Sequence, residues 1–381
     1  MLLRTDFATS LDELQLSGCP GYGGRFGDSA APRRTLRGPY DPEFTAGAAA
    51  LGVGRRVGPN APNPPRTHAE GDRGERAAGR ACGLLTSGSL RRSVSEKYYA
   101  DRVSRVIART SGGPITRARL VDDLRALGVR EGMSVLVHSS LASLGWVVGD
   151  SESVVLALEE AVGSEGTLMM PGFSYDAPEP SGWKNPPVPQ AWWETIRREW
   201  PPFDPTWARS QHVGVIAETF RTQPGTLRSP HPALSFTARG PHAPQLVERH
   251  GLENAAGESS PLARLYELDG RVLLLGVDHG SNTSLHLAET RARWPGREKM
   301  ASRTARWVRL GRVETVTLND FEWHEEEFAE LGRDFESRAG NVAVGPVGMS
   351  TSRLMRQRDL VDFGVRWIES HRNQPAGPES P

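Results

Sequence analysis

The chain has 381 residues, and its 46 Lys and Arg side chains equal its 46 Asp and Glu side chains, so the formal net charge is zero. This balance gives no indication of a protein that binds nucleic acid or an anionic membrane surface. The two cysteines, Cys19 and Cys82, lie in the first quarter of the chain, so neither a disulfide framework nor a cysteine zinc site supports the rest. Since no run of about 18 apolar residues and no secretory signal occurs, we expect a cytoplasmic protein without a membrane span.

Residues 1–95 differ in composition from all that follows. They are rich in Gly and Pro, as in GYGG and PNAPNPP, and contain no long segment with a regular apolar period. Such a sequence buries too little apolar surface to offset the entropy lost on ordering. We therefore predict a disordered extension over 1–95, a single domain over 96–372 and a frayed tail over 373–381.

Helices and strands alternate in the first half of the predicted domain. Apolar periods of three to four residues predict helices within 95–110, 117–129 and 151–163. Short apolar runs at 133–138 and 167–173 predict strands. This order is typical of α/β folds, in which functional sites lie at the carboxyl ends of the strands.

The second half of the domain begins with a loop-rich segment, 174–212, that contains many Trp and Pro residues. Clustered Trp argues against disorder, so we predict a lid or wall that faces a substrate. Beyond it we predict a strand within 233–240, a hairpin over about 304–318 and an acidic helix. After a Gly-Pro turn at 345–346, the remaining sequence is interpreted as two closing helices.

The most informative stretch is RVLLLGVDHGSNTSLHLAETR, which runs from Arg271 to Arg291. It predicts a buried strand, a tight polar turn and the start of a helix. His286 and Glu289 are three residues apart and therefore share one face of that helix. The free N–H groups at a helix N-terminus suit an anion or a developing oxyanion.

Four motifs occur in order: HSSL at 138–141, RSPHP at 228–232, SPLARLYELDGRVLLLGV at 260–277 with NTSLHLAE at 282–289, and GPVG at 345–348. Together they resemble the aminoglycoside 3-N-acetyltransferases, and the resemblance covers about residues 105 to 370. It implies a three-layer α/β/α fold with a central mixed sheet, acetyl-CoA as co-substrate and no metal. The glycine-rich pyrophosphate loop of the common GNAT acetyltransferases is absent, so the fold implied is the separate antibiotic N-acetyltransferase fold.

The resemblance also implies roles for residues at the motifs. An attacking amine must be neutral, and a histidine titrates in the range suited to accept its proton. His231 is therefore the expected base, Glu289 its orienting carboxylate and His138 a further polar group near the thioester. The residues expected to bind coenzyme A or the oxyanion are Ser139, Ser140, Leu141, Val277 and Thr283.

The expected acceptor is a cationic small molecule, the 3-amino group of a 2-deoxystreptamine aminoglycoside. Acidic side chains around a cleft attract such ammonium groups. The candidates are Asp204, Glu218, Asp278 and Asp320. The Trp-rich loop leaves open another small amine as acceptor.

Three alternatives remain at the level of sequence. Thr283 or Ser139 could act as a nucleophile, although direct transfer is simpler. A metal-dependent hydrolase could draw ligands from four residues, His231, His279, His286 and Glu289, but no HExxH or paired-Asp motif supports it. A binding protein that keeps the coenzyme A pocket without catalysis is the third, and the presence of both His231 and Glu289 argues against it.

Overall fold

A seven-stranded mixed sheet lies at the centre of the protein. The computed structural model describes residues 100–174, 180–183, 186–295, 297–298, 300–339 and 341–373, so the predicted extension over 1–95 and nearly all of the predicted tail lie outside the described residues. The strands are β1 (Ser134–Ser139), β2 (Thr167–Pro171), β3 (Leu227–Arg228), β4 (Phe236–Arg239), β5 (Arg271–Leu275), β6 (Met300–Arg309), β7 (Arg312–Phe321), β8 (Ala343–Val347) and β9 (Ser350–Arg356). The helices are α1 (100–109 in its described part), α2 (Arg117–Leu127), α3 (Asp150–Val162), α4 (Trp193–Glu199), α5 (Gly214–Thr222), α6 (Ala243–Val247), α7 (Pro261–Glu267), α8 (Ser284–Arg291), α9 (Phe328–Ala339) and α10 (Gln357–Arg372).

The order of strands in the sheet is β3-β4-β2-β1-β5-β9-β8. β1 pairs in parallel with both β2 and β5, whereas the other pairs are antiparallel. β1 is therefore the central strand, and its residues from Ser134 to His138 are buried. Parallel strands need cover on both faces, and here helices supply it.

Alternate residues of β1 and β5 enter two separate apolar cores. Leu136 and Leu274 lie in the core that includes side chains of α6, α7, α8 and α10. Val137 and Leu273 lie in the opposite core with side chains of α2, α3 and α5. The helices thus sandwich the sheet, and the predicted three-layer α/β/α fold is confirmed. Among the described helices, none is long and apolar enough to cross a lipid bilayer.

The end of the domain differs from the prediction of two closing helices. Residues 343–356 form the antiparallel pair β8 and β9, and α10 is the one helix that follows in the described part of the chain, up to residue 373. In β9 the inward positions alternate with more exposed ones, so Ser350, Ser352 and Leu354 are buried. Two of these buried positions carry Ser rather than an apolar residue. The alternation of apolar and polar residues that indicates a strand is therefore not visible in the sequence.

The predicted hairpin is confirmed and is longer than expected, since β6 and β7 pair from Met300 to Phe321. Part of the Trp-rich segment packs along it. The Phe203 N–H donates to the Arg306 carbonyl at 2.8 Å, and the Val308 N–H donates to the Phe203 carbonyl at 2.8 Å. The segment around Phe203 is thus fixed to the edge of the hairpin by backbone hydrogen bonds.

One matched pair of substitutions tests the packing of α10 against the sheet. Leu360 is fully buried, whereas Leu310 at the tip of the hairpin is 95% exposed. Leu360→Ala is expected to lower the free energy of unfolding by about 2–5 kcal/mol, because buried contacts are lost and a cavity remains. Leu310→Ala is expected to change it by less than about 0.5 kcal/mol. Urea unfolding of both variants measures the difference, and equal losses would contradict the described packing.

Candidate active site

The carboxyl ends of β1 and β5 lie side by side and bring two of the motifs together. Ser139 is opposite Leu275, and the Ser140 N–H donates to the Leu275 carbonyl at 3.0 Å. Directly after β5 the chain turns at Gly276, which has φ +71°. The HSSL segment therefore faces the turn that leads into α8, as the α/β topology predicts.

His138 and Thr283 join these two segments. The Thr283 Oγ1 lies 3.2 Å from the His138 Nε2. Burial, and then the nearby His286, lowers the pKa of His138 from 6.5 to about 3. His138 is therefore neutral at physiological pH, and its ring can exchange hydrogen bonds but holds no charge.

A buried ion network lies one turn further along α8. His286 Nδ1 is 3.2 Å from Glu289 Oε2, and His286 Nε2 is 3.2 Å from Glu325 Oε1. The second oxygen of Glu289 accepts from the His324 N–H at 3.0 Å and from Arg372 Nη1 at 2.6 Å. Residues from α8, from the segment before α9 and from the end of α10 thus meet in one network.

The network fixes the charges of its members. Burial acts to lower the pKa of His286, but its hydrogen bonds to Glu289 and Glu325 outweigh burial and raise that pKa to about 9. Burial acts to raise the pKa of Glu289, but the bonds from His286 and Arg372 outweigh it and hold that pKa below its usual value. His286 is consequently an imidazolium between two carboxylates.

The predicted pairing of Glu289 with His231 is not present. Both oxygens of Glu289 are occupied by the partners just described, and His286 takes the place that was assigned to His231. The reason is geometric: His286 lies one helical turn from Glu289, whereas His231 lies between β3 and β4, and β2 and β1 separate β4 from β5 in the sheet.

His231 is fully buried, and its hydrogen bonds are unusual for a base. Its Nδ1 accepts from the Ala233 N–H at 3.2 Å and from the Leu234 N–H at 2.9 Å. Its Nε2 has no hydrogen-bond partner among the described residues. Burial, and then the neighbouring His250 and Arg303, hold the pKa of His231 well below its usual value.

These bonds determine which nitrogen of His231 carries the proton. Because Nδ1 accepts two amide bonds, the single proton of the neutral ring is on Nε2. If the ring takes up a second proton, that proton must go on Nδ1, where the N–H groups of Ala233 and Leu234 already point at the nitrogen and would repel it. In this arrangement His231 offers a hydrogen-bond donor at Nε2, and the resting ring is not set up as the predicted general base.

Arg228 holds the segment of His231 in place, and the sequence reasoning missed it. Its guanidinium donates to the carbonyls of Ala208 and Gly172 and to Ser235 Oγ at 2.9 Å. It also lies over the ring of Phe203, 4.9 Å from the centroid. Arg228 thereby connects the RSPHP motif to Gly172, directly after β2, and to the Trp-rich segment. Its position as the first residue of that motif was the available signal.

The four acidic residues expected to bind the acceptor each have hydrogen-bond partners within the protein. Asp204 accepts from its neighbour Thr206 and so stabilises a local turn. Glu218 forms two hydrogen bonds with Arg221, and both side chains are nearly buried. Asp278 accepts from the Gly280 N–H at 3.0 Å. Each of these three carboxylates thus has a local structural role, and a contact with the acceptor stays a prediction.

Asp320, the fourth candidate, is 4% exposed. Its Oδ1 accepts from the Ala255 N–H at 2.7 Å, and its Oδ2 is 3.8 Å from Arg303. Burial raises the pKa of Asp320 above its usual value. This carboxylate is already engaged with the protein and is not presented freely to a ligand.

Two cavities lie near these residues. One of about 360 Å³ is lined by Arg109, Ser143, Gly276, Met349, Ser350 and Thr351, next to the ends of β1 and β5. The other, of about 690 Å³, is lined by residues 251–254, 258, 259, 290, 291 and 297. Of the ligands of the hydrolase alternative, His286 and Glu289 are in contact. Within the described residues no group of three His, Cys, Asp or Glu side chains is arranged to hold a metal.

This geometry defines a class of protein: an α/β enzyme with a mixed sheet and a buried histidine near the strand ends. The sequence profile described as aminoglycoside 3-N-acetyltransferase matches residues 136–369. The chain is 41% identical over 256 residues to the SPbeta prophage-derived aminoglycoside N(3')-acetyltransferase-like protein YokD of Bacillus subtilis (strain 168), covering 67% of this chain and 93% of that protein. It is 40% identical over 288 residues to aminoglycoside N(3)-acetyltransferase VIII of Streptomyces fradiae, covering 70% of this chain and 96% of the relative.

Solved structures show the same likeness. The crystal structure of YokD from Bacillus subtilis superposes with a TM-score of 0.68 at 38% identity, covering 71% of this chain and 99% of that one. The structure of AAC-IIIb as a binary complex with CoASH has a TM-score of 0.61 at 30% identity, covering 70% and 100%. The structure of AAC-VIa bound to sisomicin has a TM-score of 0.62 at 33% identity, covering 69% and 100%.

The chain therefore belongs to the aminoglycoside 3-N-acetyltransferase family, and it is an acyltransferase. The predicted family and fold are confirmed.

The buried ion network predicts a specific dependence of stability on pH. The pKa of His286 in the folded chain, about 9, lies above its ordinary value of 6.5. Its ionisation therefore contributes stability that is complete below pH 6.5 and is lost as the pH rises through about 9. We expect the free energy of unfolding of the wild-type chain to fall across this interval, and His286→Gln to remove that part of the fall. Urea unfolding at several pH values measures this dependence.

His242→Gln, outside the network, is the control and should keep the wild-type slope of unfolding free energy against pH. An unchanged slope in His286→Gln would contradict the assignment.

Proposed function

We propose that the protein transfers the acetyl group of acetyl-CoA to the 3-amino group of a 2-deoxystreptamine aminoglycoside, which inactivates the antibiotic. The observation that carries the proposal is the buried His231, whose Nε2 has no hydrogen-bond partner among the described residues. A buried polar atom without a partner is costly and calls for a ligand. The family membership supports the reaction, and a relative solved with sisomicin supports the class of acceptor.

His231 acts through Nε2 in this proposal. A neutral imidazole can donate an N–H bond to an oxygen on which negative charge develops, and burial strengthens that bond because water does not compete. The depressed pKa of His231 keeps the ring neutral over the working range of pH. His231 thus stabilises the reacting oxygen while the neutral amine attacks directly, without a covalent acyl-enzyme. The new C–N bond forms as the C–S bond of the thioester breaks, and the proton lost by the amine leaves with the sulfur as the free thiol of CoA.

The cofactor site lies at the ends of β1 and β5. Acetyl-CoA, when bound, supplies an acetyl group activated as a thioester. Ser139, Ser140, Leu141, Val277 and Thr283 lie on these two strands or in the segments that follow them, which supports their predicted role in binding acetyl-CoA. Ser143, which lines the 360 Å³ cavity, donates to Ser140 Oγ at 3.0 Å and so connects that cavity to the HSSL motif. His138 belongs to the same site through Thr283, and its neutral ring adds no charge there.

Substitution of His231 tests both the reaction and the role of Nε2. His231→Ala is expected to lower kcat about 100- to 1000-fold, the usual loss for one oxyanion donor. His231→Gln keeps an N–H near the position of Nε2 and is expected to retain more activity than His231→Ala. The assay is release of CoA from acetyl-CoA with a panel of 2-deoxystreptamine aminoglycosides.

The pH dependence of kcat/KM separates a donor from a base. A donor role predicts that the acid limb is the same in the wild-type chain and in His231→Gln, because the limb then belongs to the amine. If the limb disappears in the variant, His231 is a base and changes its hydrogen bonds when substrate binds. If the enzyme acetylates only other small amines, the acceptor is not an aminoglycoside. If the protein does not bind acetyl-CoA, the proposed reaction is wrong.

A matched pair of glycines tests the cofactor site. Gly276 and Gly225 have φ values of +71° and +84°, so Ala strains the backbone at both. A Cβ at 276 would lie 2.8 Å from Ser143 Cβ, whereas a Cβ at 225 would meet nothing within 4 Å. We expect Gly276→Ala to raise the KM for acetyl-CoA severalfold and Gly225→Ala to leave it unchanged. Steady-state kinetics and thermal unfolding of both variants separate loss of binding from loss of stability. Equal KM values for acetyl-CoA in the two variants would contradict the proposal that acetyl-CoA binds at this end of the sheet.

A further inference from the structure

A second buried histidine, His250, lies against His231. Their ring centroids are 4.7 Å apart and their planes are inclined by 35°. His250 is 7% exposed and follows α6, outside the four motifs. Burial lowers the pKa of His250 from 6.5 to about 4, in spite of its bond to the Ala255 backbone, so the ring is neutral.

Only one assignment of donors and acceptors is consistent with the hydrogen bonds of His250. Its Nε2 is 2.6 Å from the Ala255 carbonyl, which can only accept, so Nε2 carries the proton. Its Nδ1 must then accept the hydroxyl proton of Ser229, at 2.9 Å. The Ser229 Oγ in turn accepts from the Phe236 N–H at 2.9 Å. Every polar atom of the His250 ring is used, and the orientation of the ring is therefore fixed.

The chain of bonds continues to the β6–β7 hairpin. The Ala255 N–H donates to Asp320 Oδ1 at 2.7 Å, and the neighbouring Asn254 N–H donates to the Asn319 carbonyl at 2.8 Å. Residues 252–255 are thus attached to the end of β7. Because the same short segment accepts the bond from His250, Asp320 determines where the Ala255 carbonyl lies.

We propose that His250 is a positioning residue for His231 and that Asp320 acts through it. The two amides at 233 and 234 hold one edge of the His231 ring, and His250 holds its face. Together these contacts leave Nε2 as the only nitrogen of His231 that can meet a ligand. The proposal rests on the proposed function of His231, and it assigns Asp320 a role in place of the predicted contact with substrate.

Two variants of His250 test the role by kinetics. His250→Phe keeps an aromatic ring beside His231 but loses both hydrogen bonds, and we expect kcat to fall about 10- to 100-fold with little change in either KM. His250→Gln carries both an N–H and a carbonyl, so it can remake the two bonds and should restore most of the lost rate. Asp320→Asn keeps an oxygen for the Ala255 N–H and should retain more activity than Asp320→Ala.

His242→Phe is the matched control. Like His250, His242 is bonded to a serine, with its Nδ1 3.0 Å from Ser134 Oγ, but it is half-buried and lies at the N-terminus of α6. We expect this variant to lose thermal stability to a similar extent while keeping the wild-type kcat. An equal loss of kcat in both Phe variants would show a general structural effect and would overturn the positioning role.

A spectroscopic measurement is independent of turnover. The ¹⁵N chemical shifts of the imidazole nitrogens report which tautomer a histidine adopts. In the full-length wild-type chain His231 should show a single Nε2–H tautomer, and in His250→Phe this signature should broaden or split. If the His231 signals and kcat of His250→Phe both equal those of the wild-type chain, the positioning role is wrong. If the wild-type chain transfers no acetyl group but the signals change, the proposed function fails and the positioning role stands.

Discussion

The parallel pairing of β1 with β5 is the constraint on which the site depends. The register that places Ser139 opposite Leu275 makes both strands end at the same level. A polar segment that follows one strand must then meet the turn that follows the other, which is why His138 and Thr283 come within 3.2 Å although 145 residues separate them. Two helical layers bury the strands on both faces, so the polar groups at their ends are held by a rigid support.

Histidines in opposite electrostatic states lie in the candidate site. His286 is held between Glu289 and Glu325 and keeps its charge although it is buried. His231 is equally buried, but its nearest polar neighbours are amide N–H groups and another imidazole, all of which disfavour a positive charge. The same side chain therefore provides a fixed cation in one place and a neutral donor in the other, and the partners alone account for the difference.

Much of the architecture could be predicted from sequence because its signals are local. The apolar runs of β1, β2 and β5 and the periodic apolar face of α3 each suffice to identify their element, and the order of elements then implies a layered α/β fold. β9 was missed because its buried positions include Ser350 and Ser352, whose small polar side chains are satisfied within the protein and conceal the alternation.

The site was predicted only in its parts. The motifs indicated His138, His231 and Glu289 as candidates, but a motif does not contain the direction in which a side chain hydrogen-bonds. The state of His231 depends on a turn that points two amides at Nδ1, and the role proposed for Asp320 depends on a loop attached to β7. Such contacts join segments that are distant in the sequence, so only the tertiary structure shows them.

Arg372, in the last turn of α10, has a consequence for the order in which the site is completed. Its guanidinium bonds to Glu289, 83 residues earlier, and also to Glu327. β1, which carries His138, can pair with β5, which precedes Thr283, as soon as β5 has been synthesised. Glu289, in contrast, has only His286 as a cationic partner until Arg372 of α10 has docked. The contact between Arg372 and Glu289 closes a long loop, and during synthesis it can form only after α10 has been made. During synthesis on the ribosome, a nascent chain that has formed most of the sheet would still lack the ion pair between Glu289 of α8 and Arg372.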